Sequence, residues 1–277
     1  MSGRWADSWV LVTGASSGLG EELARQLAAK RANLVLSART TARLESLAAE
    51  LAARHGVETR VVPMDLSTPD GAARLCDAVD ALGIPIDHLV NNAGFGSRMR
   101  FIESPVEREL SMVRLNCESL LALTHHFLPG MVARRRGGVI QLSSIAGFQP
   151  TPFFASYGAT KAFVLSLSAA LAAEVRGHGV RVMAFCPGPV QTGFQQAAGM
   201  PVTDLTKQGL RTRLSLLSAE ETVRRGLAAY EQGREVYVPG LVNRLITLAI
   251  KVVPRSIVVN AAAKSVAGGV ATKEHSA

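Results

Sequence analysis

Thr13-Gly14-Ala15-Ser16-Ser17-Gly18-Leu19-Gly20 is the stretch that decides the fold. It follows residues 8–13, an almost unbroken apolar run that reads as a buried β-strand. Beyond it, residues 18–30 place Leu19, Leu23 and Leu27 on one face of a helix. A glycine-rich turn between strand and helix lets backbone N–H groups approach a pyrophosphate, which the helix N-terminus then stabilises. The spacing is GxxxGxG rather than the commoner GxGxxG, so a tight turn that merely needs glycine is the competing reading.

The same rhythm continues outward from this turn. Strands are expected at residues 33–38, 59–64, 88–91, 139–143, 180–186 and 235–238. Between them lie helical patterns at 40–55, 68–82, a pair within 105–136, then 154–177 and 219–231. The strands are apolar throughout rather than alternating, as in a parallel sheet covered on both faces. The expected fold is therefore α/β, a Rossmann-type doubly wound parallel sheet of about seven strands. No Pro- or Ser-rich linker divides the chain, so residues 1–240 read as one domain and 241–277 as a C-terminal amphipathic helical extension. Residues 187–217, with Gly193, Gly199 and Pro201, break the rhythm and read as a substrate loop or lid.

The second strand ends in Ser37-Ala38-Arg39. An acid at that place would accept from the 2′-hydroxyl of an adenosine ribose and repel a 2′-phosphate. The Arg39 guanidinium would instead pair with the phosphate through two hydrogen bonds, which predicts NADP(H) over NAD(H). A solvated charge ahead of the next helix is the plainer alternative.

Tyr157-Gly158-Ala159-Thr160-Lys161 falls within a predicted helix, so Tyr157 and Lys161 stand one turn apart on one face. An ammonium beside a phenol favours phenolate and is expected to bring its pKa down towards the working range. Such a pair alone says little, because most present two amphipathic side chains to solvent. Its company changes that. Asn91-Asn92-Ala93-Gly94 follows the fourth strand and Asn116 lies in the helix pair. Ser143-Ser144 ends the fifth strand, and Pro187-Gly188 with Thr192 follows the sixth.

With these motifs in this order, the chain from residue 9 to 192 resembles the short-chain dehydrogenase/reductase family. The resemblance implies that Ser144 polarises a substrate carbonyl and that Tyr157 transfers the proton. It implies that Lys161 tunes Tyr157 and binds the nicotinamide ribose, while Asn116 holds a water linking Lys161 to solvent. Ser143 is the less suitable serine, since its side chain should leave the opposite face of the strand end. By the same resemblance NADP(H) would be held by Gly14, Ser16, Ser17, Gly18, Leu19 and Gly20. Arg39, Asp65, Leu66, Asn92, Ala93 and Gly94 would flank its adenosine half. Tyr157, Lys161, Pro187, Gly188, Val190 and Thr192 would meet its nicotinamide half. Thr160 replaces the more usual Ser of the family, and Gly158 is an unexplained glycine inside a helix.

The surroundings suggest a substrate class. Phe95, Met99, Phe101, Phe148, Phe153 and Phe154 flank the motifs, with Phe194 and residues 200–217 as a cover, which suits a lipophilic ketone or secondary alcohol. Beyond Gly240 there is a loose resemblance to bacterial members similar to 3-oxoacyl thioester reductases and hydroxysteroid dehydrogenases. The family also leads us to expect a homodimer or homotetramer formed through the helices bearing Asn116 and Tyr157.

Composition bounds the alternatives. The chain has 277 residues, 48% apolar and 19% charged, which excludes intrinsic disorder. A net charge of +8 would suit an anionic membrane, a phosphorylated ligand or nucleic acid. The Arg134-Arg135-Arg136 run has no aromatic platform beside it, so no nucleic-acid partner is expected. Cys76, Cys117 and Cys186 are scattered, and His125-His126 are adjacent rather than one turn apart, so no metal is expected. Without a leader-like or membrane-length apolar run, the expected location is cytoplasmic or peripheral to a membrane. Leu241, Leu245, Leu248 and Val252 recur at helical spacing and could pack on a subunit, cover the pocket or lie on a membrane. Two readings compete with catalysis on the same fold: a silent NADP(H)-binding sensor, and a peripheral membrane- or partner-binding protein.

Overall fold

Val10, Leu11 and Val12 are wholly buried because their strand, β1 (Trp9–Thr13), runs through the middle of a sheet covered on both faces. The computed structural model describes residues 4–190 and 216–267. The other strands are β2 (Asn33–Ser37), β3 (Thr59–Val61), β4 (His88–Asn91), β5 (Gly138–Leu142), β6 (Arg181–Phe185) and β7 (Val236–Tyr237). All seven are parallel, in the order β3-β2-β1-β4-β5-β6-β7.

Helices cover the two faces. On one side α1 (Gly18–Ala29), α2 (Thr41–His55) and α7 (Ala219–Glu231) bring Leu23, Leu27, Leu44, Leu51 and Leu227 onto the sheet. On the other, α3 (Gly71–Asp80), α5 (Leu120–Arg134) and α6 (Ala155–Glu174) contribute Leu75, Val79, Leu123, Met131 and Ala172. Between α4 (Val106–Val113) and α5 the chain stays helical through a π-helical stretch, Arg114–Ser119, so the expected helix pair is one interrupted rod.

β1 pairs with β2 on one side and β4 on the other, so the strand order reverses there and a crevice opens beyond Thr13 and Asn91. Ligands of doubly wound sheets bind at such a switch point. Most strand and helix ends fall within a few residues of the sequence reading, the ordinary spread of boundary assignment. The exceptions have causes. The predicted strand 59–64 is assigned only as far as Val61, although Val62 and Met64 still donate to Leu36 and Ala38. The helix predicted from residue 68 begins at Gly71, because residues 65–68 form a turn in which Thr68 Oγ1 donates to the Asp65 carbonyl.

After β7 come α8 (Leu241–Ile250) and α9 (Arg255–Ala267). Helix α8 is apolar on the outside. It buries Asn243 and Thr247, while Leu241, Leu245 and Leu248 are 69%, 57% and 56% exposed. The Leu241–Leu245–Leu248–Val252 stripe is therefore not packed into the core of the described chain. The reason is local: Asn243 lies against Gly188, so closely that a Cβ there would collide with its amide, and donates to the Pro239 carbonyl at 3.1 Å.

Candidate active site

Gly14 has φ 66°, and a Cβ at that position would meet Asn92 Nδ2 and the Ala93 backbone within 3 Å. The turn thus needs glycine both for its conformation and for its contact with the end of β4. Thr13, which sequence reasoning passed over, is the hub of that contact. Its Oγ1 accepts from the N–H groups of Asn92 and Ala93 and donates to the Val90 carbonyl. Asn92 Nδ2 donates to the carbonyls of Thr13 and Gly14, clamping the two strand ends together. Beyond the turn, Ser17 gives α1 no side-chain cap, and the N–H groups of Gly18, Leu19 and Gly20 have no acceptor among the described residues. A helix N-terminus with free donors, reached through a glycine turn, fits a pyrophosphate.

Arg39 stands exposed just beyond β2. Across the crevice, Asp65 Oδ1 accepts from the Ser67 N–H at 2.9 Å and the Ser67 hydroxyl at 2.6 Å. Burial alone would raise the Asp65 pKa, but these hydrogen bonds and the charge of Arg39 hold it below the usual carboxylate value. The basic and acidic groups that the sequence placed at the adenosine end therefore do share one edge of the crevice. Leu66 is buried beside them, its carbonyl accepting from Ser119 Oγ at 2.6 Å.

The next group sits at the ends of β4, β5 and α6. The Ser144 hydroxyl and the Tyr157 phenol are hydrogen-bonded to each other, and Ser144 Oγ also accepts from the Ala146 N–H at 3.1 Å. Lys161 lies 5.7 Å from the centre of the Tyr157 ring, on the same helix face, and its Nζ donates to the Leu142 carbonyl at 2.7 Å. Ser143 turns the other way, as expected, and donates to the Lys161 carbonyl at 2.7 Å. Asn116, in the π-helical stretch, donates to the Phe95 carbonyl and Thr160 Oγ1 and accepts from the Phe95 N–H. Both amide hydrogens are thereby committed to protein partners, and one lone pair of Oδ1 remains for a water. Thr160 Oγ1 in turn donates to the Tyr157 carbonyl. The replacement of Ser by Thr keeps this hydroxyl in use.

The electrostatics differ from the sequence expectation. Burial pushes the Tyr157 phenol up to about 12, against a smaller lowering by Ser144. Lys161 does not bring it down, because the ammonium is aimed at the Leu142 carbonyl and lies against the ring. Burial lowers Lys161 itself to about 8. At neutral pH the phenol therefore holds its proton and the lysine holds its charge.

Gly158 also finds a reason in the packing around it. A Cβ there would collide with Thr151 Oγ1, so the glycine lets the segment after β5 pack against α6. A cavity of about 730 Å³ opens on that side, bordered by Phe148, Thr151, Gly158, Ala162, Val253 and Val258 among others. Asn116, Ser144, Tyr157 and Lys161 are not among the residues that border it. Of the expected aromatic lining, Phe154 meets the Tyr157 ring edge-on at 6.1 Å and Phe148 borders that cavity. Phe95 is tied by its backbone to Asn116, and Met99 donates to the Phe153 carbonyl. Phe101 is 65% exposed.

Near β6, the Pro187 carbonyl accepts from the Ile145 N–H and Ser144 Oγ, while Val190 forms an isolated bridge with Leu217. Thr192, Phe194 and residues 200–215 of the expected cover lie outside the described residues. Of the two adjacent histidines, His126 pairs with Asp80 at 2.9 Å.

The sequence pattern of the family described as short chain dehydrogenase matches residues 8–201. The very-long-chain 3-oxoacyl-CoA reductase of Phaeosphaeria nodorum is 38% identical over 181 residues, covering 63% of this chain and 52% of that protein. The protein of the same name from Pyricularia oryzae is 41% identical over 180 residues, covering 63% and 54%. The match thus spans about half the length of these curated relatives. Among solved structures, a short-chain dehydrogenase from Sphingobium yanoikuyae in complex with NADPH has a TM-score of 0.78 at 29% identity, covering 97% of this chain and 98% of that one. A 7beta-hydroxysteroid dehydrogenase has a TM-score of 0.82 at 27% identity, covering 94% and 97%.

Proposed function

The chain belongs to the short chain dehydrogenase family, and from that premise we propose that it is an NADPH-dependent reductase of lipophilic ketones. One observation carries the proposal. Ser144 and Tyr157 are hydrogen-bonded to each other at the open end of the crevice, with a charged Lys161 against the phenol ring. In this reading the free amides of Gly18, Leu19 and Gly20 hold the pyrophosphate, and Arg39 pairs with the 2′-phosphate. Asp65, Asn92, Ala93 and Gly94 flank the adenosine half, and Pro187, Gly188, Val190 and Thr192 the nicotinamide half.

The cofactor, when bound, supplies a hydride to the carbonyl carbon. Ser144 donates a hydrogen bond to the carbonyl oxygen and fixes its position. Tyr157 gives its proton to that oxygen as negative charge develops, so C=O becomes CH–OH. The Lys161 ammonium, lying against the ring, would donate to the nicotinamide ribose hydroxyls, and solvent restores the proton to Tyr157. Asn116 positions the pair by holding Thr160 and the backbone of Phe95. A phenol that stays protonated at neutral pH is in the form that donates during reduction.

The names of the curated relatives point to 3-oxoacyl thioesters as the ketone class, and the hydroxysteroid dehydrogenase to a second bulky apolar class. The exposed Leu110, Val113, Leu121 and Phe163 lie on the helices that flank Asn116 and carry Tyr157, and a homodimer or homotetramer would cover them. The cofactor assignment is tested by assaying a panel of such ketones with NADPH and NADH, using the wild-type chain and Arg39→Asp. The expected result is a clear NADPH preference that Arg39→Asp abolishes or reverses. An unchanged preference would refute the role given to Arg39.

A further inference from the structure

The helices after β7 present an aliphatic surface that nothing in the described chain covers. Leu241, Leu245 and Leu248 line one side of α8, and Val252 continues the stripe at 82% exposure. Val253 and Ile257, at 36% and 57%, carry it on to the start of α9. Arg244, Lys251 and Arg255 are all exposed and lie beside it. From Leu241 to Ala267 there is neither Asp nor Glu, and neither Phe, Tyr nor Trp.

We propose that this α8–α9 face docks the protein on an anionic lipid bilayer, with its leucines and valines among the acyl chains and its cations at the headgroups. An aliphatic stripe edged by Lys and Arg, on a chain of net charge +8, is the form taken by helices that lie in a membrane interface. Two other occupants fit less well. A second copy paired through the same face would set Arg244, Lys251 and Arg255 against their own counterparts with no acid between them. A protein partner would be expected to meet aromatic anchors and a shaped pocket, and this face offers neither aromatics nor acids. No described helix is long and apolar enough to cross a membrane, so the contact is of the surface kind. The inference is independent of the reaction proposed above, since no residue of the face belongs to the catalytic group.

The test is co-sedimentation of the full chain with vesicles of phosphatidylcholine alone and of phosphatidylcholine mixed with phosphatidylglycerol. Binding to the mixed vesicles is expected, with much less to the neutral ones and a loss at high salt. The double change Arg244→Glu with Lys251→Glu should weaken binding about tenfold or more. Leu245→Ser with Leu248→Ser should weaken it to a similar degree, with an unchanged thermal midpoint in both variants. Equal, negligible sedimentation with both vesicle types would overturn the proposal. So would a halving of the mass in solution, measured by light scattering, for Leu245→Ser with Leu248→Ser, because the face would then be a subunit interface.

Discussion

Helices α6 and α8 both turn polar side chains inward, and they do so for different ends. In α6 the buried polar residues are Thr160, Lys161 and Ser168, and the first two belong to the group around Tyr157. In α8 they are Asn243 and Thr247, whose hydrogen bonds run to Pro239 and Arg244 in their own neighbourhood. The inward polar face of α6 meets hydroxyls, a phenol and strand-end carbonyls arranged around a cleft. That of α8 meets a glycine, and its apolar residues are left outside. A buried polar residue is therefore a candidate for chemistry only when what it faces can react. The same reasoning makes an exposed apolar stripe a candidate surface when nothing in the chain covers it.

Changing each helix in turn tests this contrast. The largest effect is expected in α6. Lys161→Met should lower the reductase rate by roughly 10²–10³-fold while leaving the fold intact. In the wild type, whose Lys161 titrates at about 8, the rate should be steady at lower pH and fall as pH rises through that value. The sign follows from the lysine being needed in its charged form. A profile flat through pH 9–10 would break the assignment.

In α8 no effect on the reductase rate is expected, and the contrast is read in stability. Asn243→Ala removes the amide packed on Gly188 and should cost about 1–3 kcal/mol in denaturant unfolding. Leu245→Ser on the outer face should change it by no more than about 0.5 kcal/mol. A reversed ranking of those two would mean that the stripe is packed in solution and Asn243 is not.

Much of this arrangement was legible in the sequence because period and spacing are local properties. Apolar runs separated by helical patterns gave the seven parallel strands, and the 14-to-20 glycine turn marked the switch point. The four residues Asn116, Ser144, Tyr157 and Lys161 were found through their order along the chain, by resemblance. Periodicity located the stripe of α8 but could not say which way it faces, since that depends on Gly188, more than fifty residues earlier. The reason for Gly158 lay in a through-space collision with Thr151, which no spacing rule encodes. The high pKa of Tyr157 was equally hidden. A lysine one turn away predicts a lowered phenol only if its ammonium is not already committed, and here it is bound to the Leu142 carbonyl.

The central claim is that the Tyr157 hydroxyl delivers the proton in ketone reduction. The most direct measurement compares Tyr157→Phe with wild type in two readouts: NADPH binding by fluorescence titration, and NADPH oxidation with a responsive ketone. The account predicts nearly unchanged NADPH affinity and a turnover lowered by about 10²–10⁴-fold. Full turnover in the phenylalanine variant would contradict it.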